Sequence, residues 1–74
     1  MRLLKDKWII LLHFDERYLF ERFEVKRATV DIDVRQSIKL VYFGNYDTKE
    51  EAQIEAEDIA SSYRQIGVMN ESSY

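Results

Sequence analysis

At 74 residues and a formal net charge of −3, the chain has room for one small domain, and its lack of cysteine excludes disulfides, thiol catalysis and zinc–thiolate sites. Hydrophobic residues make up 46% of it, among them one Trp, five Tyr and four Phe, enough for a dense core and too apolar for a disordered chain. The charge is uneven: residues 1–46 carry nine Lys/Arg against seven Asp/Glu, and residues 47–74 carry two against seven. A mildly basic half therefore precedes an acidic one, a polarity that can orient a domain on an anion.

The chain opens with Met1 to Lys7 and then the apolar run Trp8-Ile9-Ile10-Leu11-Leu12. This superficially resembles a signal peptide, but the run is short, ends in His13-Phe14-Asp15-Glu16 and has no small-residue cleavage site. It also falls far below the roughly 20 residues that span a bilayer. It reads as a strand of a soluble, cytoplasmic protein with no membrane partner.

The nearly continuous apolarity of Trp8 to Phe14 predicts a strand covered on both faces, and Asp15-Glu16-Arg17 predicts a turn. Tyr18 to Lys26 fits both a strand and a helical stripe, and its aromatics and valine favour the strand. From Thr29 the period is two: Val30, Ile32 and Val34 alternate with Asp31, Asp33 and Arg35. Ile38, Leu40 and Tyr42 then share one face, against Lys39, Val41 and Phe43 on the other. A turn at Arg35-Gln36-Ser37 would make these two runs a hairpin, although the usual Asn-Gly or Asp-Gly signal is missing.

Gly44-Asn45 ends the last strand. Thr48 followed by Glu51 is a capping box that starts a helix, and Glu50, Glu51 and Glu55 suit the positive end of its dipole. Ala52, Ala56, Ile59, Ala60, Tyr63 and Ile66 fall on one face at helical spacing. The helix is predicted over Lys49 to Ile66 with Gly67 as its C-terminal cap. Residues 1–69 then form one α+β domain, a three- or four-stranded antiparallel sheet with one C-terminal helix packed on one face, and residues 70–74 form a frayed polar tail.

Residues suited to catalysis are scarce. His13 is the only histidine, so one chain offers no multi-histidine metal site, and its place in an apolar strand reads as a hydrogen-bonded structural role. Neither glycine has the neighbours of a phosphate loop or a nucleophile elbow. Asp31 with Asp33, and Glu51 with Glu55, lack the glycine-turned, oxygen-rich spacing of a calcium loop. These features predict a binding module without enzymatic activity, cofactor or metal. Ile54 points away from the apolar helix face amid Glu50, Glu57 and Asp58, as a partner-contact residue would.

The stretch Val41-Tyr42-Phe43-Gly44-Asn45-Tyr46-Asp47-Thr48-Lys49-Glu50-Glu51-Ala52 resembles the strand-to-helix junction of AP2/ERF-type DNA-binding domains and of phage-integrase arm-binding domains. The likeness extends over about residues 28 to 66, with Ala60 and Arg64 at the helix positions of a small residue and an arginine. It implies that the sheet lies in the major groove of duplex DNA with the helix behind it. Arg35 and Lys39, with Arg22, Lys26 and Arg27 from the previous strand, would then be the DNA contacts. Unlike those families, this chain places Asp31 and Asp33 beside Arg35, where carboxylates would repel phosphate. The alternative is a protein–protein interaction module such as a small phage- or plasmid-type inhibitor or regulatory adaptor. It would use Ile54 together with Val41 and Phe43 on the outer side of the last strand, or an unpaired strand edge that takes a partner strand or a second copy of the chain.

Overall fold

The computed structural model of the chain describes residues 1–72, with side chains through Tyr63. Its elements are β1 (Arg2–Leu3), β2 (Trp8–Phe14), β3 (Phe20–Arg27), β4 (Ile32–Asp33), β5 (Leu40–Tyr46) and α1 (Lys49–Ser72). The class is α+β: a three-stranded antiparallel sheet of order β3-β2-β5, a two-stranded β1-β4 ribbon, and one helix packed on the sheet.

The apolar run of β2 makes it the central strand, and Ile9, Ile10, Leu11 and Leu12 are all buried. Each of the two faces takes alternate residues. Ile10 and Leu12 meet Ala52 and Ala56 of α1, with Phe23, Val25, Val41 and Phe43 completing that side. Ile9 meets Leu3 and Ala28 on the opposite side, with Val34 and Tyr42 packed against them. Burying Ile10 and Leu12 contributes about 1.5–3 kcal/mol each. The alanines at 52, 56 and 60 are fully buried, letting the helix lie close to the pleat. Its N-terminus is capped by Thr48, whose Oγ1 accepts from Glu51 N at 3.1 Å.

The expected hairpin between residues 30–34 and 38–43 is not formed. Both β3 and β5 pair with β2, so residues 28–39 cross the sheet from one edge to the other on the face away from α1. Only Ile32 and Asp33 of the alternating run are in a strand, and they pair with Leu3 and Arg2. Period-two alternation signals an extended chain and does not name its partner. Here the N-terminal segment competes successfully because Leu3 is buried against Ile9 and Ala28, while the exposed pairs of Arg2 with Asp31 (3.4 Å) and of the Met1 amino group with Asp33 (3.7 Å) add little. Asp31 also accepts from Lys5 N at 2.7 Å.

Gly44 and Asn45 seat that segment. A Cβ on Gly44 would come within 2.9 Å of Leu3 Cδ2 and 3.2 Å of Ile9 Cγ2. Asn45, at φ 66°, accepts from Leu4 N (2.8 Å) and donates to Arg2 O (3.0 Å), so its amide stands in for a strand neighbour. A second correction concerns the helix end: α1 runs through Gly67 to Ser72, so Gly67 does not cap it. Of the expected polar tail, 70–72 are helical and 73–74 lie outside the described residues.

Candidate functional site

One end of the sheet concentrates exposed apolar side chains on two loops. The β2–β3 turn presents Tyr18 (57% exposed) and Leu19 (53%), and the loop before β5 presents Ile38 (71%). The loops are tied to the scaffold and to each other. Phe14 N donates to Lys39 O at 3.0 Å, and Lys39 Nζ lies 5.9 Å from the centre of the Tyr18 ring, within cation–π range. Beneath them, Phe14, Phe20 and Tyr63 pack ring to ring with centroids 5.4–6.0 Å apart, a rigid floor anchored in β2, β3 and α1.

The turn itself is organised by Asp15. Its Oδ1 accepts from Arg17 N (2.8 Å) and Leu19 N (3.1 Å), its carbonyl accepts from Tyr18 N and its amide donates to Leu19 O. The Leu19 and Arg17 amides hold the Asp15 carboxyl below the ordinary carboxylate range. A three-residue hairpin loop of this kind places its last residue in the left-handed region, normally as glycine. Here that residue is Tyr18, at φ 64°. The other non-glycine residues with positive φ among those described are Asp6 and Asn45, types that tolerate the conformation, whereas a bulky aromatic pays strain there. The result is a ring held outward on a strained turn that Asp15 ties together.

The five residues expected at DNA are spread over three elements and both faces. Arg22 and Lys26 lie on the β3 face away from α1, opposite His13 and Ile9, and Arg22 Nη1 is 3.8 Å from Glu24 Oε1. Arg27 pairs with Trp8 and so faces the helix side. Arg35 is exposed in the crossing segment, and Lys39 belongs to the tip. Asp31 and Asp33 are occupied by Arg2 and the Met1 amino group.

Among the residues expected at a protein partner, Val41 and Phe43 are corrected: they pack toward α1 in the core, not on the outer side of β5. The parity was right and the buried side was not, because Leu40 and Tyr42 take the other face. Ile54 is 68% exposed as expected and borders an open depression of about 540 Å³ with Lys49, Glu50 and Gln53. His13 has its structural partner, with Nε2 3.2 Å from Glu24 Oε1. Tyr18, Leu19 and Ile38 were missed as site residues because the first two read as the start of a strand and Ile38 as part of one. The available signal was Asp15 four residues before an apolar Leu19 with no glycine between them, a tight turn with the wrong residue in its left-handed position.

No group of three or more potential metal ligands occurs among the described residues, and no helix among them is long and apolar enough to cross a membrane. No protein-family model, curated protein or solved structure matches the chain.

Proposed function

We propose that the chain is a non-enzymatic binding module that docks on a protein partner by inserting Tyr18, Leu19 and Ile38 into an apolar socket. The observation that carries this reading is Tyr18, kept exposed at positive φ in a position where glycine would be less strained. Tyrosine suits such a contact because its ring gives a large apolar area with few rotatable bonds and a hydroxyl for the rim. Lys39 flanks the apolar tip with its ammonium 5.9 Å from the Tyr18 ring centre, so the socket would carry an acidic group at that margin.

A photo-crosslinking amino acid placed at Ile38 should give a discrete protein adduct in extract of the producing cell. Excess unlabelled wild-type chain should compete that adduct away, and the Tyr18→Gly chain should not. An adduct that both chains compete equally would remove the tip from the interface.

A second reading, duplex DNA, is favoured by one feature. The carboxylates of Asp31 and Asp33 are engaged in ion pairs, while Lys26 and Arg35 are exposed and available to phosphate. Saturable, salt-weakened binding of mixed-sequence duplex that is lost in Lys26→Ala and Arg35→Ala would establish it over the protein reading.

A further inference from the structure

The two edges of the sheet are finished differently. On β5, Gln36 acts as a substitute strand: its Nε2 donates to Tyr42 O (2.8 Å) and its Oε1 accepts from Tyr42 N (2.7 Å). Ser37 does the same for Leu40, through Oγ to its amide (3.0 Å) and N to its carbonyl (3.1 Å). These side chains close that edge to any further strand.

The β3 edge has no such cover. Ala28 N donates to Lys7 O, and Ala28 O accepts from Asp6 N. Backbone groups alternate in direction along a strand, so those of Lys26 and Glu24 also face β2. Those of Phe23, Val25 and Arg27 face outward, and among the described residues no strand pairs with that side. Phe23 and Val25 remain half-exposed beside α1.

We propose that this edge pairs antiparallel with β3 of a second copy of the chain, centred on Val25, joining two three-stranded sheets into one continuous sheet. The charges on the face away from α1 select both the occupant and the register. Centring on Val25 sets Glu24 against the second copy's Lys26 and Lys26 against its Glu24, two opposite-charge pairs related by the twofold. Centring on Glu24 would set Glu24 against itself and Arg22 against Lys26, all like charges. Centring on Phe23 would only pair Arg22 with Glu24, an acid that Arg22 already reaches within its own chain, and would leave Lys26 without an acidic partner. On the helix side the Val25 register stacks Val25 on its own copy and lays the Arg27 stem across Phe23, covering the half-exposed apolar edge.

Sedimentation equilibrium of the full chain, up to about 1 mM, tests the pairing. The wild type should dimerise with concentration. Glu24→Lys and Lys26→Glu should each weaken dimerisation by about tenfold or more, since each puts two like-charge pairs at the interface, while circular dichroism shows the fold retained. An equimolar mixture of the two variants should recover the dimer, because each introduced charge then meets its opposite. A wild type that stays monomeric throughout, a dimer indifferent to both reversals, or a mixture that fails to recover would each overturn the proposal. The Tyr18→Gly chain should dimerise like the wild type, so loss of the tip contact and loss of this pairing are read separately.

Discussion

Replacing Tyr18 by glycine and, separately, by alanine isolates the strain in the β2–β3 turn. Both substitutions remove the ring and its contact with Lys39, so that loss cancels in the comparison. What differs is the backbone. At φ 64° an alanine carries the left-handed penalty of about 1–2 kcal/mol, which glycine escapes. Glycine gives back about 0.5–1 kcal/mol through the greater freedom of its unfolded chain. At the middle of these ranges the difference leaves Tyr18→Gly more stable than Tyr18→Ala by about 0.75 kcal/mol. For a domain of this size that is a separation in melting temperature of about 3–6 °C, readable by thermal unfolding followed by circular dichroism. At an ordinary exposed position the order reverses, with alanine the more stable. An alanine variant as stable as the glycine variant, or more so, would refute the idea that Tyr18 is held under strain, and with it the main support for the tip as a binding site.

Gly44→Ala should destabilise the fold by about 1 kcal/mol or more in urea titration, since Leu3 can swing away from the new methyl but the branched Ile9 cannot. Gln36→Ala uncovers the backbone groups of Tyr42 and should cost about 1 kcal/mol, with faster amide exchange at Tyr42 and no effect on β3; unchanged exchange there would show that the edge is closed some other way. Acid should loosen the N-terminal segment. The Lys5 amide, followed by Arg2, holds the Asp31 carboxyl below its ordinary value, and Lys7 does the same for Asp47. Stability from such depressed carboxyls is complete above their unfolded pKa and is lost as pH falls through the folded one. NMR shifts of Leu3 and Leu4 should therefore hold steady at neutral pH and move below about pH 4. Movement that begins near pH 6–7 would point to another group.

The elements whose identity is local were legible in the sequence. Trp8–Phe14 is a strand over the whole predicted run, Phe20–Arg27 follows the strand reading of its segment, and the helix starts one residue after Thr48. The pairing was not legible, because it depends on competition between distant segments. Nothing in Val30 to Val34 indicates that Arg2 and Leu3 will displace Leu40 to Phe43 as its partner. Once that choice goes the other way, the outer side of β5 changes identity and Val41 and Phe43 enter the core. The same limit applies to the resemblance around Gly44 and Asn45. The glycine also meets Leu3 and the asparagine the backbone of Arg2 and Leu4, contacts that nothing near Gly44 in the sequence announces. The tip was hidden for the opposite reason: Tyr18 looks ordinary as a residue and is unusual only in its backbone angle.

The Asn45 clamp also sets a timetable for the molecule's birth. Arg2 and Leu4 leave the ribosome before the side chain that fastens them, which lies 43 and 41 positions further on. Until Asn45 has emerged, the amino-terminal segment has only provisional company. Contacts of such long range slow folding, because the intervening chain must be ordered before they can form. The sheet face that Leu3 closes thus stays open until Asn45 has emerged, and until then it is where a chaperone or a premature neighbour would meet the nascent chain.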